Sequence, residues 1–219
     1  MSKNIITRNA ELQLCNMRAV DDEKRLIEGY AVVFNKRSHL LWDYNSYDVV
    51  EEEISPAAIT MDMLREQDIV ACINHQQNQI LARWRGGEGS LELEIDEVGL
   101  KVRFSAPDTP WGQQAYEGVK RNDYYGMSFA YWNDDDKLNV SYAKETDGDK
   151  ETIVRTVNKI DHICDVSIVT HPAYEDTSVK ARSLDGIKSA IDEQFGEKPQ
   201  ERNAEMMSQY DELMRIIRQ

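Results

Sequence analysis

The chain has 219 residues, of which 41% are hydrophobic and 30% charged, the balance of a globular protein with a sizeable core. Its 26 basic and 40 acidic residues give a formal net charge of −14, which argues against a nucleic-acid surface and against binding to acidic membranes. No apolar run is long enough to span a bilayer, and we expect no signal peptide. The three cysteines lie far apart without a CxxC pair, so reduced thiols are expected rather than disulfides or a zinc site.

Short apolar runs separated by polar turns predict a chain dominated by β-strands. Ser55-Pro56 and Thr109-Pro110 each pair an N-cap residue with a proline at the first helical position, so each predicts the start of a helix. The alternating segments on either side of Glu97-Val98-Gly99 predict a hairpin. The predicted elements, in chain order, are strands at 11–17, 26–34 and 47–54, a helix at 56–66, strands at 68–74, 79–84, 90–96 and 100–106, a helix from 109 to about 122, and strands at 124–132 and 153–170.

The pattern predicts one main domain with an appendage. We expect a flexible terminus over residues 1–10 and a globular domain over 11–182, in which the acidic, turn-rich segment 133–150 forms an exposed hairpin insertion. Residues 183–219 are predicted as a helical C-terminal extension with a charged linker at 196–203. The apolar stripe of its last helix, which includes Met206, Met207 and Tyr210, favours packing on the same domain or docking on a partner.

The segment 124–132 is a strand of large apolar residues with Ser128 in its middle. On a regular strand, Ser128 lies on the opposite face from Met127 and Phe129. A buried core strand that tolerates a serine is one interpretation. The other is a nucleophile, which requires a general base elsewhere in the chain.

Two further residues could complete such a site. His75 follows the apolar strand 68–74, and side chains at strand ends are held in place while remaining reachable by substrate. Asp165 stands between Cys164 and Val166, and a carboxylate in apolar surroundings needs a hydrogen-bonding partner. A histidine imidazole oriented by Asp165 would be such a partner.

The segments around these three residues resemble those of the caudovirus prohead serine proteases. The resemblance covers about residues 26–179 and depends on the order and spacing of short motifs rather than on any one of them. These motifs are Gly29-Tyr30-Ala31-Val32-Val33-Phe34, Asn74-His75, Gly99-Leu100-Lys101-Val102, Gly126-Met127-Ser128-Phe129, Asp165-Val166-Ser167-Ile168-Val169 and Pro172-Ala173-Tyr174. The resemblance implies a mainly β fold with packed helices (α+β), a β-barrel surrounded by helices like that of the herpesvirus assemblin proteases.

The resemblance also implies roles for individual residues. Ser128 matches the nucleophile, His75 the general base and Asp165 the third member of the triad. The herpesvirus enzymes use a second histidine as third member, which leaves His162 as an alternative. In a regular strand Asp165 and His162 face opposite sides, and we favour Asp165.

The chain departs from the family pattern at two positions. Ala130 stands where a glycine is expected, and Gln76 follows the histidine where an acidic residue is common. Both positions could tune the fit of a substrate.

The implied function is maturation of phage capsids. Such an enzyme cuts segments of scaffold or major capsid protein, and usually itself, inside the assembling prohead in the host cytoplasm. We expect a homo-oligomer that uses no metal or organic cofactor and binds neither nucleic acid nor membrane. Two alternatives are a non-catalytic capsid-assembly protein on the same fold and an esterase, although the Gly-x-Ser-x-Gly elbow of esterases is interrupted by Ala130.

Overall fold

The computed structural model describes residues 6–11, 15–38, 40–43, 45–46, 48–124, 126–147 and 150–170, and within these ranges most residues lie in β-strands. The strands are β1 (Ile6–Glu11), β2 (Arg18–Asp21), β3 (Leu26–Val33), β4 (Leu40–Asp43), β5 (Asp48–Ile54), β6 (Asp68–Ile73), β7 (Gln76–Arg85), β8 (Glu88–Gly89), β9 (Leu91–Ile95), β10 (Gly99–Ser105), β11 (Gly126–Trp132), β12 (Val140–Asp147), β13 (Lys150–Val157) and β14 (His162–Val169). The helices are α1 (Met61–Arg65) and α2 (Pro110–Lys120), with 3-10 turns at Pro56–Ala58 and Asp136–Leu138.

The strands form three sheets. The first has six strands in the order β1-β11-β14-β6-β7-β8, the second has the order β2-β3-β10-β9, and the third has the order β12-β13-β5-β4. Most neighbouring strands are antiparallel, but β14 runs parallel to β6, and β13 runs parallel to β5. The last described strand, β14, therefore lies in the middle of the first sheet rather than at its edge.

The core lies between the first two sheets, because β11 contacts β3 and β7 contacts β9 and β10. Met127 and Phe129 of β11 join Ile27 of β3 and Phe104 of β10 in one buried cluster. Gly29 of β3 allows this approach, since a Cβ there would come within 2.8 Å of the Met127 sulfur and 3.0 Å of the Met17 Cα atom.

The expected β-barrel surrounded by helices is wrong. Among the described residues the three sheets do not close into a barrel, because β1 and β8 are the two unjoined edges of the first sheet. The apolar faces are buried by packing one sheet on another, which removes the need for closure. The α-helices within the described ranges are two, of 5 and 11 residues, and they do not surround the strands.

The helix predicted over 56–66 is interrupted in its middle. Ile59 is 1% exposed and extended, and Thr60 then caps α1 by accepting a hydrogen bond from the Met63 N–H. Residues 6–10, expected in a flexible terminus, form most of β1. The predicted helical extension 183–219, its linker 196–203 and the domain boundary at 182 lie outside the described residues.

Candidate active site

Ser128 lies in the middle of β11, where every residue from Gly126 to Tyr131 is buried. The strand pairs with β1 on one side and with β14 on the other. Ser128 is directly opposite Asn9 in β1 and Ser167 in β14. With neighbours on both sides, its side chain has 0% exposure.

His75 lies in the tight turn between β6 and β7, which leaves only Asn74 and His75 between the paired residues Ile73 and Gln76. Both turn residues have positive φ, 48° at Asn74 and 59° at His75. Two consecutive residues of this kind are typical of a type I′ hairpin, whose twist matches that of the strands. Positive φ is uncommon outside glycine, although asparagine and histidine adopt it more often than most residues. The turn directs the imidazole toward β11.

The structure brings together the three residues singled out in the sequence. The Nε2 atom of His75 lies 2.6 Å from Ser128 Oγ, and its Nδ1 atom lies 2.7 Å from Asp165 Oδ1. Asp165 is 3% exposed, whereas a quarter of the His75 side chain is open to solvent. A buried carboxylate that accepts from Nδ1–H leaves Nε2 as an acceptor for a hydroxyl proton. The arrangement is therefore suited to activating Ser128 as a nucleophile.

Ser167 is part of the site, although the sequence analysis assigned it no role. Its Oγ accepts from the His75 backbone N–H at 3.1 Å and donates to Asp165 Oδ1 at 2.9 Å. One hydroxyl thus connects the turn that carries the base to the carboxylate that orients it. The sequence does contain a clue to this role: Ser167 is two residues after Asp165, and this spacing puts both side chains on one face of β14.

Cys72 packs beside the same group, with its Sγ 3.1 Å from Ser167 Oγ. Burial, together with the negative charge of Asp165, raises the pKa of the Cys72 thiol to about 12. The thiol is therefore uncharged at neutral pH and is not itself a nucleophile.

Ser128 has a second hydrogen-bond acceptor within reach. Its Oγ lies 2.9 Å from the carbonyl oxygen of Arg8 in β1. A hydroxyl carries a single proton, so Ser128 can donate either to His75 or to Arg8 but not to both. Strand β1 therefore competes with the base for this proton.

His162 is on the same face of the sheet as Asp165, contrary to the expectation from a regular strand. Ala130 pairs with Asp165 but Tyr131 pairs with Ile163, so β14 contains a bulge that reverses the alternation. The ring of His162 packs against Trp132, with centroids 5.0 Å apart. The other two histidines, at positions 39 and 171, lie outside the described residues.

The part of the chain that the structure describes contains no cluster of three or more His, Cys, Asp or Glu side chains arranged to hold a metal ion. It also contains no helix that is long and apolar enough to cross a membrane.

Comparison with protein families gives a match over most of the chain. A model of the caudovirus prohead serine protease family matches residues 13–190, a range that includes Ser128, His75 and Asp165. No match was found among curated proteins or among solved structures.

Proposed function

The chain belongs to the caudovirus prohead serine protease family, the enzymes of phage capsid maturation, and we propose that Ser128, His75 and Asp165 are its catalytic triad. The observation that carries this proposal is the continuous chain of hydrogen bonds from Ser128 Oγ through the His75 ring to Asp165, at 2.6 and 2.7 Å. Both distances are within the reach required for proton transfer.

The proposed reaction is acyl transfer to the serine. As Ser128 Oγ forms a bond to a peptide carbonyl carbon, His75 Nε2 accepts the hydroxyl proton, and Asp165 stabilises the imidazolium. The C–N bond then breaks, and His75 gives the proton to the leaving amine. Water, deprotonated by His75, cleaves the acyl-enzyme, and the proton returns to Ser128.

We propose as substrates the segments of scaffold and major capsid protein that are removed in the assembling prohead. Cleavage of the chain itself and a homo-oligomeric state belong to the same proposal, as does the host cytoplasm as the compartment where the prohead assembles. The three side chains complete the proton transfers without a metal or organic cofactor.

One observation favours a second function, that of a non-catalytic assembly protein. Ser128 has 0% exposure in this conformation, as a packed structural serine would. A small fluorophosphonate probe separates the two functions, because only a serine activated by a neighbouring base forms the phosphonyl adduct rapidly.

The test is labelling of the full chain with this probe, followed by peptide mass analysis. We expect an adduct on Ser128 that is absent from the Ser128→Ala and His75→Ala variants. Each of these two substitutions should also lower kcat for scaffold cleavage by about 10⁶-fold, and Asp165→Asn by about 10⁴-fold. Normal scaffold cleavage by folded Ser128→Ala protein would refute the triad.

A further inference from the structure

The feature that motivates a further inference is the strand that covers the nucleophile. β1 pairs with β11 from Ile6 to Glu11 and so occupies the side of β11 that faces away from β14. Extended peptides commonly bind by adding a strand to a sheet edge. A substrate that binds β11 in this way must take the place of β1.

The register of β1 indicates which of its residues corresponds to the cleaved position. In a bound substrate, the carbonyl nearest the nucleophile belongs to the residue that precedes the scissile bond. The carbonyl nearest Ser128 Oγ is that of Arg8, at 2.9 Å. Arg8 thus stands where that substrate residue would lie.

The guanidinium group of Arg8 contacts the buried carboxylate of Glu52. Both oxygens of Glu52 accept from its guanidinium, Oε1 from Nε and Oε2 from Nη2, the latter at 2.9 Å. The Glu52 side chain is 2% exposed, whereas that of Arg8 is 22% exposed. A two-pronged contact of this kind is specific for a planar cation.

Among the described residues, Arg8 and Arg155 together balance the charges of Glu52 and Asp43. Arg155, also 2% exposed, donates to Glu52, and its Nε lies 3.5 Å from Asp43 Oδ1. Within the described residues, two guanidinium groups and two carboxylates therefore form a largely buried cluster of balanced charge, in which Arg8 is the partly exposed member. Removal of Arg8 leaves an excess buried negative charge, which is unfavourable until another cation enters.

The hydroxyl of Tyr131 in β11 interacts electrostatically with the same charged groups. Burial and the negative charge of Glu52 raise its pKa to about 12, while Arg8 and Arg155 act in the opposite direction. Tyr131, on the strand that carries the nucleophile, is therefore within electrostatic range of Glu52, Arg8 and Arg155.

We propose that β1 is an internal pseudosubstrate, and that Glu52 selects an arginine at the substrate position preceding the cleaved bond. This inference rests on the proposed function and adds the substrate class. A substrate strand displaces β1, places its own basic side chain on Glu52 and presents its carbonyl carbon to Ser128. Displacement also frees the Ser128 proton for His75.

The test compares two peptide phosphonates that differ only in the side chain at the position corresponding to Arg8. The basic probe has a guanidinium group there, and the neutral probe has an uncharged group of the same shape. The proteins are the full chain, its Arg8→Glu variant and the matched control Thr7→Glu. The control introduces the same glutamate side chain into β1 at a residue that is exposed, without removing a cation. Arg8→Glu repels Glu52 and weakens the docking of β1.

We expect the basic probe to label Ser128 on the order of tenfold faster than the neutral probe, and on the order of tenfold faster again in Arg8→Glu than in Thr7→Glu. In Glu52→Gln, with folding checked by circular dichroism, the preference for the basic probe should disappear. Equal labelling rates for the two probes, or equal labelling rates in Arg8→Glu and Thr7→Glu, would overturn the inference. Neither result would contradict the proposed protease function. Failure of the fluorophosphonate and both peptide probes to label Ser128 would instead refute the proposed function.

Discussion

At the scale of single residues, Ser167 connects two parts of the site that come from distant segments of the chain. Its hydroxyl contacts the turn residue His75 and the β14 residue Asp165 at once. An alanine at this position would leave the partly buried His75 N–H and the buried Asp165 carboxylate each with one partner fewer. We therefore regard Ser167 as a positioning residue rather than a catalytic one.

We expect Ser167→Ala to lower the free energy of unfolding by about 1–3 kcal/mol, because buried polar groups lose their partner. It should also lower kcat while leaving KM unchanged, since the imidazole is held less firmly. Urea unfolding and steady-state kinetics would measure the two effects, with Ser141→Ala, on the exposed strand β12, as the matched control. A rise in KM at unchanged kcat would contradict a positioning role.

Cys72 provides a prediction about chemical reactivity. With its pKa raised to about 12 by burial and by the charge of Asp165, roughly one Cys72 thiol in ten thousand is a thiolate at about pH 8. Iodoacetamide should therefore modify the half-buried Cys164 at least about tenfold faster than Cys72 in the folded protein. Mass analysis of timed samples checks this, with the urea-unfolded chain as reference. Equal rates in the folded state would contradict it.

At the scale of elements, the turn between β6 and β7 is the part of the site where we expect backbone strain. Asn74 adopts a φ of 48°, and its Oδ1 accepts from the Thr170 N–H at 3.1 Å. The two features have different physical origins, so substitutions can separate them.

We expect Asn74→Ala to lower the free energy of unfolding by about 1–3 kcal/mol, since it introduces strain at positive φ and removes an acceptor. Asn74→Gly should cost less, because glycine adopts this φ without strain. Urea unfolding of both variants decides the order, and probe labelling shows whether His75 is still directed at Ser128. A glycine variant less stable than the alanine variant would show that backbone strain is not the dominant cost.

The elements also show which parts of the site could be predicted from sequence. The strands that carry Ser128 and Asp165 were predictable because they are long apolar runs. β1 was not, because its sequence, Ile-Thr-Arg-Asn-Ala-Glu, lacks regular alternation and forms a strand only against β11. The side on which His162 lies could not be predicted either, since the bulge in β14 depends on pairing with a distant strand.

At the scale of the whole molecule, tyrosines hydrogen-bonded to carboxylates link stability to alkaline pH. A hydrogen bond to Asp96, with burial, raises the pKa of Tyr30 to about 12. Burial, with a hydrogen bond to Asp22, raises the pKa of Tyr116 to about 12. In the unfolded chain both groups titrate near their ordinary value of about 10.

Between about pH 10 and about pH 12 the unfolded chain therefore binds fewer protons than the folded one, and stability falls as pH rises. We expect the melting temperature to decline over this interval and tyrosinate absorbance to appear together with unfolding. Thermal scans at increasing pH test this, and Tyr30→Phe should reduce the slope. Ionisation of both tyrosines near pH 10 in a chain that stays folded would contradict the linkage.

The overall architecture was the least predictable level. Alternating strands identify a mainly β protein, but the same alternation suits a closed barrel and packed open sheets. The choice depends on whether the edge strands meet, and within the described part of the chain the edges β1 and β8 do not. Whether two edge strands pair depends on residues far apart in the chain, so no short segment of the sequence predicts it.

The central position of β14 has a consequence for how the protein is made. Strands β6 and β11 cannot become connected until residues 162–169 have entered between them. Ribosomes release a chain from its beginning onward, so a growing polypeptide carries Ser128 and His75 long before it carries Asp165. We therefore expect nascent chains to lack the Ser128–His75–Asp165 arrangement, and to resist labelling by the fluorophosphonate probe, until β14 has emerged.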